Sequence, residues 1–236
     1  MTGARRLVVN ADDLGRSEAI NRGVMRAHSE GIVTSASLMV RYATAAPAAA
    51  AARAHPRLGL GLHLDLGEWE YADGAWRSVY DVARTDDAAA VEEELARQLA
   101  EFERLVGAAP THIDSHQHVH REEPVRSAVA RAAAARGGIP VRHAPGVRYC
   151  GAFYGQGRHG AALPQLISAQ ALVAIVGDLE PGTTELCCHP ADAVDFESTY
   201  AAERVVELRA LCDPAVRRAL DERGVQLCSF GDVVTR

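Results

Sequence analysis

The chain is predicted to fold as a single-domain (β/α) barrel-like α/β structure, with about seven parallel strands across residues 1–236. Short apolar runs alternate with amphipathic stretches along the whole length, the pattern of βα units that build a parallel sheet. No Pro/Gly/Ser-rich linker divides the chain, and 236 residues can bury one large core. There is no GxGxxG fingerprint of an open dinucleotide-binding sheet. A closed or nearly closed barrel is therefore expected.

The elements read in order. "RLVVN" (Arg6–Asn10) is a buried strand, followed by a helix with Ser17 as N-cap and Gly31 as stop, burying Ile20, Val24 and Ala27 on one face. Thr34–Val40 is a second strand, and the Ala-rich Thr44–His55 a helix in which Pro47 is tolerated only in the first turn. Leu58–Leu66 is a third strand. Gly67–Asp81, with both tryptophans, reads as a loop or small insertion. A long helix over Asp87–Val106 precedes "THIDSHQHVH" (Thr111–His120), which starts as a strand, and a helix over Glu123–Arg136. Ile139–His143 is a short strand and the Gly-rich Val147–Leu163 is irregular. A helix over Gln165–Val176, a strand over Thr183–Pro190, helices over Ala201–Leu211 and Pro214–Arg223, and a strand over Val225–Phe230 complete the chain.

Composition narrows the function. Lys+Arg 25 against Asp+Glu 31 leaves a net charge of −6, which argues against nucleic-acid or anionic-membrane partners. No stretch approaches the ~18 apolar residues of a membrane span, and the N-terminal apolar run is too short for a signal peptide. The five cysteines (Cys150, Cys187, Cys188, Cys212, Cys228) form no CxxC pair, so a reduced, cytoplasmic protein is expected. Adjacent on a strand, Cys187 and Cys188 should face opposite ways, and neither is expected to be a ligand or nucleophile.

In a parallel barrel, chemistry gathers at the C-terminal ends of the strands. Those ends carry Asp12-Asp13, His63, the run His112, Asp114, His116, His118 and His120, and Cys188-His189-Pro190. Each has an ordinary reading: a capped turn for the acids, a hydrogen-bonded core histidine for His63, a solvated loop for His118 and His120. Jointly they suggest a cation site, because like charges beside a core are costly without compensation. In an extended run His112, Asp114 and His116 share one face.

"VNADDLG", "GIVTSASLMV", "GLHLDL", "THIDSHQHVH" and "ELCCHPA", in this order and joined by "AFYG" and "RGVQLCSFGDV", resemble the YdjC-like carbohydrate deacetylases, a group that includes chitooligosaccharide and hopanoid-associated deacetylases. The resemblance covers nearly the whole chain. It implies a fold related to polysaccharide deacetylases, and one divalent metal ion held by Asp13, His63 and His116. It also implies Asp12 as catalytic base and His189 as general acid. Asp114, Arg142 and Tyr154 are assigned to substrate binding. Leu14 departs mildly from the Phe common in the family, and the Tyr71–Tyr80 segment matches nothing transferable and is expected to shape substrate choice. Two imidazoles suit Zn²⁺ or another transition metal better than Mg²⁺, although the family is associated with both Mg²⁺ and Zn²⁺. The expected activity is hydrolysis of an N-acetyl group from an amino sugar or short oligosaccharide, by a homodimer. A phosphoesterase on a similar barrel, using Arg142 and Arg148 for phosphate, and a non-catalytic sugar-binding protein are the alternatives. Pure binding would need neither Asp12 nor His189.

Overall fold

The computed structural model describes residues 3–143, 145–157 and 159–233. Its organising strand is β1 (Arg5–Leu14), buried from Leu7 onward. A strand apolar on both faces must be covered on both, as in a parallel sheet. Along one edge β1 pairs with β8 (Gly182–Cys188) over Arg5–Ala11. Its other edge is shared, with β9 (Val225–Leu227) beside Arg5–Leu7 and β2 (Ser35–Leu38) beside Asn10–Leu14. Beyond β2 lie β3 (Gly59–Leu64) and then β6 (Ile113–Ser115), and beyond β8 lies β7 (Arg148–Cys150). All these pairings are parallel, so the sheet curls into a half-barrel with β6 and β7 at its edges. The expected fold class holds, in its open form.

Local chemistry places the helices. In α1 (Glu18–Ser29), Ser17 caps the start by accepting from the Ile20 N–H, and Ile20, Val24 and Ala27 are buried as expected. The C-cap is Glu30 rather than Gly31. α6 (Ala201–Leu211) falls on its expected segment, and α2 (Ala45–Arg53), α4 (Val125–Ala135), α5 (Ala169–Gly177) and α7 (Pro214–Glu222) follow theirs with ends shifted by a few residues. α3 (Ala88–Val106) starts on Asp87, which accepts from two backbone N–H groups, and ends on Gly107 in the left-handed region.

Two expectations change. The insertion forms an antiparallel hairpin, β4 (Gly67–Ala72) and β5 (Ala75–Asp81), with Tyr71 opposite Trp76. Its two-residue turn is Asp73-Gly74, both at positive φ, the combination that matches strand twist. Ile139–His143 yields only a single bridge, Val141 to Ile113, while β7 forms inside the segment expected to be irregular. Pro140 has no N–H to give a ladder, and the Arg142 side chain is drawn inward by buried carboxylates.

α1 rests directly on the strap that leaves β8. A Cβ at Gly23 would stand 2.5 Å from the Ala191 Cα and under 3 Å from its N and C. Gly23→Ala should therefore destabilise the fold by roughly 1–3 kcal/mol through overpacking, although alanine is the better helix former. Urea unfolding checks this, and an unchanged or raised midpoint would overturn it.

Candidate active site

Neighbouring residues on a strand normally point to opposite faces. Asp12 and Asp13 nevertheless line the same cavity, of about 550 Å³. The β1–β2 register shifts between Ala11 and Leu14, and Asp13 sits at φ 66, in the left-handed region that aspartate tolerates. This irregularity lets two adjacent carboxylates serve one site.

Asp13 meets His63, from β3, and His116, from the end of β6. Its Oδ1 lies 3.3 Å from His63 Nε2 and 3.2 Å from His116 Nδ1, yet receives no aligned hydrogen bond. Its Oδ2 accepts from Arg204 Nη2 at 2.5 Å. His63 Nδ1 is 2.7 Å from Asp114 Oδ1, which fixes the ring and presents Nε2 to Asp13. The three donor atoms converge within 4.8 Å. One carboxylate and two imidazoles fit a divalent metal with open coordination positions. The charge balance agrees. Burial opposes a charge on His63, but Asp114 and Asp12 overcome it and push the ring up to about 10, so the surroundings demand positive charge here.

Asp12 is gripped differently. Arg142 Nη1 and Nη2 donate to its two oxygens, both at 2.7 Å, and Asn10 Nδ2 adds a bond at 2.9 Å. Burial would raise its pKa, but the Arg142 guanidinium outweighs burial and holds the carboxyl well below the usual range. The same guanidinium reaches Asp114 Oδ2 at 2.9 Å and Glu185 Oε1 at 2.7 Å. It cannot fully satisfy all three, and burial pushes Glu185 up to about 7. On the far side His189 Nε2 stands 3.9 Å from Asp12 Oδ2, and its Nδ1 3.8 Å from Glu207 Oε1. Glu207 also accepts the His189 backbone N–H and the Tyr200 hydroxyl. Tyr154 stacks on Tyr200, with ring centroids 4.4 Å apart, and meets His189 edge-on at 5.5 Å.

A sequence profile of YdjC-like proteins matches residues 6–222. The chain belongs to the YdjC-like family. A chitooligosaccharide deacetylase from Serratia marcescens is 34% identical over 262 aligned residues, covering 96% of this chain and 98% of that one. A carbohydrate deacetylase from Geobacillus stearothermophilus is 33% identical, covering 96% and 97%. A crystal structure from Enterococcus faecalis V583 superposes with TM-score 0.74 at 23% identity, covering 99% and 100%. A family 4 acetyl xylan esterase from Clostridium thermocellum, in complex with a cobalt ion, shares the fold with TM-score 0.54 at 13% identity, covering 97% and 90%.

In this YdjC-like chain the five residues proposed for metal and catalysis, with Tyr154, all line the cavity. Asp114 and Arg142, assigned above to substrate binding, sit behind the cavity. Both are buried, at 0% and 2% exposure, and neither reaches the cavity wall. Their polar atoms go to His63 and Asp12. Arg148 bonds the carbonyls of Glu180 and Pro181, so neither arginine suggested for phosphate faces the cavity. Cys187 and Cys188 do diverge, but Cys187 is the one on the cavity, its Sγ 3.4 Å from Asp12 Oδ2. Burial pushes its thiol well up, which keeps it protonated. Arg204, Glu207, Glu185 and Glu68 escaped the sequence reading. A signal existed for two: Arg204 and Glu207 share the face of α6 that buries Leu208 and Leu211, where an unpartnered charge would be too costly.

Arg142→Leu tests the buried network. In the folded protein Asp12 lies well below the ordinary aspartate value of about 3.8, so its contribution is present above that value and fades only as pH falls through the lower folded value. Without the guanidinium, burial is the largest influence left and, opposed only by His63 and His189, raises the carboxyls above their unfolded values. The deficit then grows as pH rises. Arg142→Leu should cost about 3–5 kcal/mol at pH 8 and clearly less at pH 5, in urea unfolding with chelator present. An equal deficit at both would refute the argument.

Proposed function

We propose that this protein is a metal-dependent hydrolase that removes an N-acetyl group from an amino sugar or short oligosaccharide. The observation that carries the reading is the placement of Asp12 and His189 on one cavity with the Asp13–His63–His116 donor set. The names of the family relatives supply the substrate class, and the aromatic lining (Trp69, Tyr71, Trp76, Tyr154) suits a sugar ring. Asp13, His63 and His116 would hold the ion. Bound there, it supplies Lewis acidity to the acetamide carbonyl and to the attacking water.

The chain's own groups complete the reaction. Asp12, ionised by its paired bonds to Arg142, accepts a proton from the water as its oxygen adds to the carbonyl carbon. His189, beside buried Glu207, gives a proton to the amine as the C–N bond breaks. Acetate and a free amino sugar result. With two imidazoles in the set, Zn²⁺ or another transition metal is favoured and Mg²⁺ is the alternative. A cytoplasmic location, supported by five unpaired cysteines, and a homodimer, resting on the family resemblance alone, complete the proposal.

Acetate release from N,N′-diacetylchitobiose, measured beside metal content, tests the reading. Asp12→Asn should keep its ion and its affinity for sugar but lose roughly two to four orders of magnitude in turnover. Asp13→Asn should bind metal weakly and recover part of its rate in excess metal. Rescue of Asp12→Asn by metal would reverse the two roles. Phosphate release from a generic ester with no acetate release would sink the reading itself.

His116→Ala tests the ligand set separately. It should lose most of the tightly held ion and nearly all activity while its circular dichroism stays unchanged. Full occupancy in elemental analysis would remove His116 from the site.

A further inference from the structure

The site above uses one histidine of the run after β6 and leaves two. His118 and His120 from that turn meet His143 from the segment bridging to β6, each offering a ring nitrogen within 4.8 Å of the others. The rings crowd together, with centroids 5.2 Å apart for His118–His143, 5.5 Å for His120–His143 and 6.1 Å for His118–His120.

His118 is held at one nitrogen, and His120 has a polar neighbour at each of its two. The Tyr149 hydroxyl lies 3.2 Å from His118 Nε2, while His118 Nδ1 is buried with no partner. Ser115 Oγ lies 2.6 Å from His120 Nδ1 and as a hydroxyl can accept its proton. His120 Nε2 then has only the Arg142 carbonyl, at 3.2 Å. The third ring, His143, has Nε2 buried and unpartnered. Packing alone does not explain this, because buried ring nitrogens without partners carry a desolvation penalty. His118, tied at Nε2 by a hydroxyl with Nδ1 free, matches the outer-shell support of a metal-binding histidine.

We propose that His118, His120 and His143 form a second cation site, separate from the Asp13–His63–His116 set, for a borderline-soft divalent ion of the zinc type. Three imidazoles without a carboxylate exclude Mg²⁺ and Ca²⁺ as the natural occupants and leave a fourth coordination position. A neutral imidazole offers one ring-nitrogen lone pair to an ion. The Asp114 carboxylate and the Arg142 guanidinium act on His120 in opposite directions. An ion here pins the turn that carries His116 to the segment that carries Arg142 and Tyr149.

The test is the stoichiometry of Zn²⁺ on metal-stripped protein, by calorimetry and elemental analysis. The wild type should bind two ions per chain, and His143→Ala and His116→Ala one each. Zn²⁺ should raise the Tm of His116→Ala but not that of the His116→Ala/His143→Ala double variant. Mg²⁺ should not fill the second position. One ion per wild-type chain at saturation, or two still bound by His143→Ala, would overturn the proposal. The wild-type count decides the matter even if a variant fails to fold. It also stands apart from the deacetylase reading, since neither count nor Tm depends on turnover.

Discussion

A single guanidinium with almost no exposed surface organises this molecule. Arg142 makes paired bonds to Asp12, a single bond to Glu185 and an ion pair with Asp114, drawing β1, β6 and β8 to one point. A buried ion pair gives weak net stability, because desolvating both partners offsets much of the attraction. Its value here is geometric. A planar fork fixes carboxylate orientation in a way a flexible ammonium does not, so Asp12 has one position available. Asp114, held by the same fork and by Ser37, in turn holds His63. Two of the groups proposed for chemistry therefore take their orientation from one residue that never meets the cavity.

Charge runs as a chain of partial compensation. Arg142 and Arg204 are set against Asp12, Asp13, Asp114 and Glu185, so the buried carboxylates outnumber the guanidiniums. The imbalance is visible in the demand for positive charge at His63, while burial pushes Glu185 up. A divalent ion between Asp13, His63 and His116 would meet the demand at His63. The second carboxyl oxygen of Asp13 is already taken by Arg204, which leaves the unpartnered Oδ1 as the one directed at the histidines.

Much of this was legible in the sequence because periodicity and strand direction are local and additive. β1, β3 and β8 announce themselves as apolar runs, and parallel pairing then requires their polar ends to gather at one rim. Asp12, Asp13, His63, His116 and His189 could be placed on that rim without coordinates. Less legible were the exceptions to alternation and the long-range pairings. Nothing local shows that Asp13 turns to positive φ, which makes neighbours share a face. Arg142 reads as a strand-end cation available to a ligand, and only the three-dimensional meeting with Asp12, Asp114 and Glu185 shows that it is spoken for. The hairpin was within reach, since Asp73-Gly74 between two alternating stretches is a turn signal.

Helix α6 shows how separate parts of the site are kept in step. Arg204 and Glu207 lie three residues apart, so they are neighbours on one face, with Cβ atoms roughly 5–6 Å apart. Arg204 holds Asp13 on the cation side of the cavity, and Glu207 holds the His189 backbone on the other. The Arg204 carbonyl also accepts the Ala191 N–H, tying the strap after His189 to the same helix. That strap packs against α1 through Gly23, where no side chain intervenes. The separation between the proposed metal ligand and the proposed acid is thus set by one turn of a rigid helix rather than by a loop. Shifting α6 as a unit would carry both sides together, so the spacing between them tolerates small movements of the surrounding fold.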